Sequence, residues 1–448
     1  MQVTVNDIER EPSVLLAFRA ANARSFRDEL ELSLLATGFA EQGVARSVRW
    51  REGGSPVEVL PAAGIFGANA SGKSNVLKLM DDMRHLVLGS FRLGDPTGGV
   101  PRRPFLLEDA ARRTPTRFEI DLVVEGVRHE YGFSIDDERV LEEWAYRYPK
   151  GKPALLFRRE GDDVQLGPAN RSRGRAILDL LRPNALFLST AATANHPDLL
   201  ALFGWFHRNL LLAEVASRPH RQLFTMQMLG DQRRDKVLAL LRAADLGIVD
   251  VRKRPVDPVL QERMRRAIHI LSGLEGEPTE EGPTFEELGL RMVHRGSGGE
   301  PVELEDDDES HGTAVWFGLI GPVIDALEQG SVLLADELDA SLHPSLVAQV
   351  LRLFQNPESN PNRAQLVFYS HEVSLLGDTV RERPLGRDQI WFTEKGHDGA
   401  TRLYSLVEQR QRKQEAIGRR YLDGRYGAIP IVSGSEFAAA AELIASER

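Results

Sequence analysis

Residues 67–74 read Gly-Ala-Asn-Ala-Ser-Gly-Lys-Ser, and this stretch decides the fold. The apolar run VEVLPAAGIF at 57–66 precedes it and predicts a buried strand. Behind it, apolar residues from Val76 to Val87 recur at helical spacing. A strand, a glycine-rich turn and a helix in this order predict a phosphate-binding loop, because backbone N–H groups and the helix N-terminus then face the phosphates.

Each part of this loop has an expected role toward a nucleoside triphosphate. Lys73 is expected to reach the β- and γ-phosphate oxygens as a point charge, and the hydroxyl of Ser74 to hold Mg²⁺. The predicted nucleotide-binding residues are Gly67, Ala68, Asn69, Ala70, Ser71, Gly72, Lys73, Ser74 and Asn75.

A second motif, Ser331-Val-Leu-Leu-Ala-Asp336-Glu337, is an apolar strand that ends in two acids. Asp336 is placed to bind Mg²⁺ through water, and Glu337 to polarise the water that attacks the γ-phosphate. Together with a complete phosphate loop, the two acids predict a hydrolytic site in which Lys73 and Glu337 are catalytic.

Two shorter motifs select the type of phosphate-loop enzyme. Glu309-Ser310-His311-Gly312-Thr313 precedes a helix. Ser310 either caps that helix or, with the backbone of Gly312, meets the γ-phosphate of a nucleotide that a second subunit holds. Phe368-Tyr-Ser-His371 is a strand that ends in histidine, and we expect His371 to sense the γ-phosphate.

Composition excludes several classes of protein. The 448 residues contain no cysteine, so neither disulfides nor cysteine-ligated zinc can form. A net charge of -10 does not fit a protein that coats DNA non-specifically. The N-terminal residues contain acids and no long apolar run, and no stretch is long enough to span a bilayer. We therefore expect a cytoplasmic protein without membrane contact.

The chain divides into three segments by pattern. Residues 1–170 hold the phosphate loop, a hairpin broken at Asn22–Ser25 and a β meander over 117–160. Residues 171–290 predict an inserted helical module without sustained heptads, including an amphipathic helix at 259–271. Residues 291–448 carry the remaining motifs. The predicted fold class is α/β, a phosphate-loop NTPase of ABC/SMC type with an N-terminal β-rich subdomain and this helical module.

The sequence resembles the overcoming-lysogenization-defect and SMC-like AAA ATPases, which are related to the ABC ATPases. The segments that carry the resemblance are Phe18-Arg-Ala-Ala-Asn22-Ala-Arg-Ser25-Phe26, Pro104-Phe105, Glu309 to Thr313, Glu337-Leu-Asp339-Ala-Ser-Leu-His343-Pro344, Asp388 to Phe392 and Tyr421 to Pro430. The resemblance implies that ATP and Mg²⁺ are the cofactors and that the chain dimerises, or assembles further, around ATP. It makes Ser310, Gly312 and Thr313 a signature that acts on the partner's nucleotide, and Asp339 part of the D-loop.

The last of these segments resembles stand-alone ATPases of prokaryotic defence operons. That resemblance implies antiphage or abortive-infection defence, with a separate effector such as a toxin or nuclease. Two other functions stay open: a DNA-repair or maintenance ATPase of the SMC type, with nucleic acid as partner, and a scaffold that turns ATP over slowly. The transporter signature Leu-Ser-Gly-Gly-Gln is absent from the sequence, and Gln165 is a Q-loop candidate by position only.

Overall fold

The computed structural model describes residues 13–38, 44–50, 55–168, 171–214, 217–244, 246–253, 290–305, 308–377, 383–409, 416–430 and 433–446. The strands are β1 (Val14–Ala21), β2 (Leu30–Ser33), β3 (Arg46–Val48), β4 (Val57–Val59), β5 (Ala62–Gly67), β6 (Thr116–Val124), β7 (Val127–Ile135), β8 (Val140–Arg147), β9 (Ala154–Glu160), β10 (Asp163–Leu166), β11 (Leu210–Ala213), β12 (Ile248–Lys253), β13 (Leu290–Arg295), β14 (Pro301–Glu305), β15 (Val332–Ala335), β16 (Gln365–Tyr369), β17 (Ile390–Lys395) and β18 (Thr401–Ser405).

The α-helices within the described ranges are α1 (Lys73–Gly89), α2 (Asp109–Arg113), α3 (Arg171–Leu178), α4 (Phe187–Thr193), α5 (Pro197–Arg208), α6 (Arg218–Met228), α7 (Arg234–Ala243), α8 (His311–Gln329), α9 (Pro344–Gln355), α10 (Ile417–Leu422) and α11 (Gly434–Ser446). The helix expected at 259–271 lies outside the described residues.

A six-stranded sheet in the order β11-β15-β16-β5-β17-β18 forms the centre of the molecule. Its first five strands are parallel, and β18 returns antiparallel to β17. Strands β5, β15 and β16 are buried along their whole length, which explains their continuous apolar sequences. The sheet therefore joins the phosphate-loop strand near the N-terminus to two strands more than 260 residues further along the chain.

The apolar run at 57–66 forms two strands instead of one. Strand β4 ends at Val59 and pairs with β3, whereas β5 begins at Ala62 in the central sheet. Pro61 lies between them and has no N–H to donate to a ladder. The proline thus separates the strand that carries the phosphate loop from the strand before it.

A seven-stranded antiparallel sheet in the order β10-β9-β8-β7-β6-β1-β2 covers the N-terminal half. It confirms the predicted meander, since β6 to β9 pair in succession. The predicted hairpin is also confirmed: β1 pairs with β2, and Asn22 and Arg24 adopt positive φ angles of 47° and 53° in the turn. Asn and other residues at positive φ allow the chain to reverse tightly.

The segment 171–290 does not supply helices alone. Helices α4 and α5 pack on α1, but β11 joins the central sheet beside β15 and β12 pairs with β13. Part of the segment is therefore built into the core of the molecule. The division into three domains remains a prediction.

Helix α6 packs closely along α8 because two glycines leave room for it. A Cβ on Gly321 would lie 2.5 Å from Oγ1 of Thr225, and one on Gly318 would lie 3.4 Å from the side chain of Gln222. The backbone N–H of Gly321 donates to Oγ1 of Thr225 at 3.0 Å. The two helices therefore form one packed unit.

The C-terminal segment covers the end of the central sheet with aromatic side chains. The ring of Phe392 on β17 stacks against Tyr421 and Tyr426, with centroids 5.4 and 5.7 Å from its own.

Among the helices of the described ranges, none combines the length and apolar character that a membrane crossing requires.

Candidate functional site

The phosphate loop lies between β5 and α1, as predicted, and its geometry requires glycine at position 72. Gly72 has a φ of 102°, in the left-handed region that favours glycine. A Cβ at this position would lie 2.5 Å from Oγ1 of Thr401 and 2.8 Å from Oγ of Ser25. Both the backbone angle and the close approach of Thr401 and Ser25 therefore exclude a side chain here.

Lys73 is buried and folds back onto its own loop. Its Nζ donates hydrogen bonds to the carbonyl oxygens of Gly67 at 3.0 Å and Ala68 at 2.9 Å. Burial lowers the pKa of Lys73 to about 8, although the charges of Asp339 and Glu337 act in the opposite direction. The ammonium is thus held at the mouth of the loop by two neutral acceptors, which a phosphate can replace.

The remaining loop residues either support the turn or face outward. Ser71 is buried and its hydroxyl hydrogen-bonds that of Thr393 at 2.6 Å. Asn75 donates from Nδ2 to Oγ of Ser25 at 2.8 Å. Asn69 and Ala70 are exposed at the rim, and Ser74 is half-buried at the start of α1. Ser71 and Asn75 therefore fix the loop to neighbouring strands.

The two acids follow β15 at the same edge of the sheet. The backbone N–H of Asp336 donates to the carbonyl of Ala213 at 3.1 Å, and Glu337 adopts a positive φ of 47°. The hydroxyl of Tyr369, at the end of β16, lies close enough to both carboxylates to interact with each of them. Burial raises the pKa of Asp336, and the hydrogen bond from Tyr369 opposes that rise.

His371 and Asp339 lie beside this acidic pair. The backbone N–H of His371 donates to Oδ2 of Asp339 at 3.1 Å. Desolvation lowers the pKa of His371, and the positive charge of Lys73 lowers it further. Lys73 Nζ also lies 5.7 Å from the ring centroid of Tyr369. The structure thus brings together Lys73, Glu337, Asp339 and His371, which the sequence placed up to 298 positions apart.

Ser310 caps α8 and lies next to the D-loop segment. Its Oγ accepts from the backbone N–H of Thr313 at 3.1 Å and hydrogen-bonds the Thr313 hydroxyl at 2.8 Å. A Cβ on Gly312 would lie 2.7 Å from the carbonyl oxygen of Ser341. The capping interpretation of Ser310 is therefore correct. Because Ser310 is also exposed, a second contact to a partner's nucleotide stays a prediction.

Three residues near the acids were missed by the sequence analysis. Tyr369 occurs within the histidine motif, and Glu214 follows β11, whose sequence Leu-Leu-Leu-Ala repeats the apolar pattern that precedes Asp336. Ala213 pairs with Ala335, so Glu214 lies beside Asp336 and its charge helps to raise the pKa of that carboxyl. Arg221 of α6 lines a cavity with Asp336 and carried no sequence signal. Gln165, the positional Q-loop candidate, lies on the edge strand β10.

The predicted Mg²⁺ ligands fit the ion as a companion of the triphosphate. Oδ1 of Asp336 is buried without a hydrogen-bond partner among the described residues, and carboxylate and hydroxyl oxygens suit Mg²⁺. In the described ranges, no group of three or more histidine, aspartate or glutamate side chains could hold a metal ion. Since Mg²⁺ commonly uses one or two carboxylates plus substrate phosphates, Asp336 and Ser74 suit such an ion and stay its predicted ligands.

Comparison with known proteins adds a family and a set of similar structures. A family model described as "AAA domain, putative AbiEii toxin, Type IV TA system" matches residues 62–377. An SMC head bound to the C-terminal winged-helix domain of ScpA has 13% identity and a TM-score of 0.40, covering 87% of this chain and 97% of that one.

Two further SMC heads are similar. The head domain from Thermotoga maritima has 13% identity and a TM-score of 0.36 over 87% of this chain and 98% of that one. The head domain from Pyrococcus furiosus, with an extended coiled coil and the C-terminal domain of ScpA, has 13% identity and a TM-score of 0.33 over 88% and 97%. No curated protein matches the chain.

Proposed function

Since the chain belongs to the AAA family described as "AAA domain, putative AbiEii toxin, Type IV TA system", we propose that it hydrolyses ATP between two copies of itself and so regulates a separate effector. The family match confirms the predicted phosphate-loop fold and the resemblance to AAA ATPases. One observation carries the proposal of hydrolysis: Lys73, Glu337 and His371 lie close together. The charge of Glu337 acts on Lys73, and the charges of Lys73 and Glu337 both act on His371.

Binding begins when the triphosphate replaces the two carbonyl oxygens that hold Lys73. The ammonium then contacts the β- and γ-phosphates, while the loop N–H groups and the N-terminus of α1 face the remaining charge. Ser74 and Asp336 are the residues that would hold Mg²⁺, which would supply positive charge beside the triphosphate.

Glu337 is the group that orients and polarises the attacking water. As the water oxygen bonds to the γ-phosphorus, the bond between that phosphorus and the β-γ bridging oxygen breaks, and the water proton passes to Glu337 or to the phosphate. The hydroxyl of Tyr369 interacts with the Glu337 carboxylate and is placed to help orient it. His371 is placed to contact the γ-phosphate and to lose that contact after cleavage.

The second subunit completes the site through Ser310 and the adjacent backbone of Gly312. The exposed position of Ser310 at the N-terminus of a 19-residue helix supports this role, because helix N-termini attract phosphate. Both subunits then contact the γ-phosphate, so cleavage weakens the dimer. Relaxation of the dimer transmits the signal to the effector.

Mixing two inactive variants tests the shared site. Lys73→Ala removes the phosphate contact, and Ser310→Arg blocks the signature. Each mixed dimer then carries one intact site, made from the phosphate loop of the Ser310→Arg chain and the signature of the Lys73→Ala chain. We expect ATPase activity to reappear on mixing. If the mixture stays as inactive as its components, each site is contained within one chain.

The proposed regulatory role is supported by the description of the family and by the net charge of the chain. The family description includes a Type IV toxin–antitoxin system, and the net charge of -10 disfavours electrostatic coating of DNA. Purification of the tagged chain from its own cells with ATP should yield a protein partner that Lys73→Ala does not retain. Steeply salt-dependent DNA binding by the ATP-bound dimer would instead favour the DNA-maintenance function.

A further inference from the structure

A cavity of about 310 Å³ lies behind the acidic pair, between the starts of α6 and α8 and the end of β15. Its walls include Arg218 and Arg221 of α6, His311 of α8, and Asp336 with Glu337. Ser310 and Gly312 are not among the lining residues. His311, which stands between these two residues in the sequence, does line the cavity, so the cavity adjoins the surface at which the signature is proposed to meet a partner's nucleotide.

Arg221 is the unusual member of this set. Only 8% of the residue is exposed, and its Nε is buried without a hydrogen-bond partner among the described residues. Burial lowers the pKa of Arg221, while the charge of Asp336 opposes that effect. A buried guanidinium N–H without a hydrogen-bond partner is costly, and an anion in the cavity would supply that partner.

The acids that line the cavity also act on other groups. Asp336 and Glu337 both act on the hydroxyl of Tyr369. Glu337 also acts electrostatically on Lys73. Neither acid forms a hydrogen bond with the Nε of Arg221, which stays without a partner among the described residues.

A second guanidinium lies at this end of the cavity. Arg218 Nη1 donates to Nδ1 of His311 at 2.8 Å, which places the arginine at the mouth. Helix α6 begins at Arg218 and α8 begins at His311. Helix N-termini present unpaired N–H groups and partial positive charge, so two helices add to the attraction of the arginines for an anion.

We propose that this cavity binds a phosphate-type oxyanion, with Arg221 as its main partner and Arg218 and His311 at the mouth. Its volume is about ten times the ~30 Å³ that a water molecule occupies in the liquid, so phosphate fits together with waters. The identity of the oxyanion rests on the proposed function: hydrolysis leaves inorganic phosphate beside Glu337, which lines both the reaction site and the cavity.

Titration of inorganic phosphate into the full chain saturated with Mg²⁺ and ADP tests this site. ADP occupies the phosphate loop, so calorimetry reports phosphate bound elsewhere. We expect one phosphate per chain, binding at least about tenfold more weakly to Arg221→Met and intermediate binding by Arg221→Lys. Gln227→Met on the exposed face of α6 is the matched control and should bind as the wild type does.

Arg221→Met should also fold, because an apolar side chain of similar length replaces a desolvated charge; we expect an unchanged or higher Tm. If it does not fold, Arg218→Met at the mouth provides the second variant, with weaker phosphate binding expected. Equal phosphate affinity in the wild type and the arginine variants, or no saturable binding below about 10 mM, would overturn the proposal. Failure to bind ADP would instead contradict the phosphate-loop function, and the comparison between Arg221 variants would still report on the cavity.

Discussion

Lys73 donates a hydrogen bond from Nζ to the carbonyl oxygen of Gly67, 3.0 Å away, at the other end of the same loop. The loop therefore holds its own lysine in place before any phosphate contacts it. Because the competing acceptors are neutral carbonyls, a charged phosphate oxygen is the stronger partner. The lysine can thus move from the loop backbone to the substrate without leaving the site.

Replacement of Lys73 by methionine should abolish nucleotide binding. The variant keeps the length of the side chain but removes a charge-assisted contact of roughly 3 kcal/mol, so the Kd for ATP should rise at least about a hundredfold. Titration with a fluorescent ATP analogue measures the change. Lys236→Met on α7, whose side chain is exposed, is the control. If Lys73→Met binds ATP as tightly as the wild type, residues 67–74 are not the nucleotide-binding loop.

ATP affinity should decrease as the pH rises above about 8, because burial lowers the pKa of Lys73 to about 8. A bound triphosphate stabilises the ammonium and raises that pKa, so binding takes up a proton in the alkaline range and none well below it. Calorimetry near pH 9 in buffers of different ionisation enthalpy measures the number of protons taken up on binding. Lys73→Arg stays charged and should show no such uptake. Proton release on binding would contradict this account.

Tyr369→Phe should impair cleavage more than binding. The hydroxyl of Tyr369 interacts with Asp336 and Glu337, and its loss leaves the water-orienting carboxylate less constrained. We expect kcat to fall about tenfold, equivalent to roughly one hydrogen bond, with little change in the Kd for ATP. Single-turnover kinetics separates the rate of cleavage from the affinity for ATP. An unchanged cleavage rate would show that Tyr369 only fills space.

Thr225→Val should destabilise the packed unit of α6 and α8. The variant leaves the backbone N–H of Gly321 without the oxygen that accepts from it at 3.0 Å, at a cost of about 1–3 kcal/mol in the free energy of unfolding. Urea denaturation measures the loss. Thr225→Ser retains the oxygen and should be closer to the wild type. Equal stability of all three chains would mean that this hydrogen bond adds nothing.

The sequence predicted the residues whose role depends on local pattern. The phosphate loop could be found because its spacing determines one strand–loop–helix, and Asp336 and Glu337 because they end an apolar strand. Glu214 and Tyr369 could not be assigned, since their roles depend on which strands are neighbours in the sheet. Strand β11 pairs with β15 across about 120 residues of sequence, and no local pattern encodes such a parallel pairing.

The sequence likewise could not predict which element α6 packs against. Gly318 and Gly321 mark a close contact on α8, but small residues in one helix do not identify the helix that packs on them. The direction of Arg221 follows from that packing alone. The break at Pro61 was missed, because the apolar run at 57–66 predicts one strand, although proline cannot donate a ladder hydrogen bond.

The proposal that ATP assembles two copies of the chain is tested most directly on the Glu337→Gln variant. Light scattering with saturating ATP and Mg²⁺ measures the mass of that variant. Loss of the carboxylate should lower turnover by about 10² to 10⁴ but leave binding intact, so the assembled state accumulates. We expect a mass of at least twice the 49.9 kDa of one chain, and the mass of one chain when Lys73→Met is added. A mass of 49.9 kDa with ATP bound would show that ATP does not assemble the chain, and full turnover by Glu337→Gln would remove Glu337 from the mechanism.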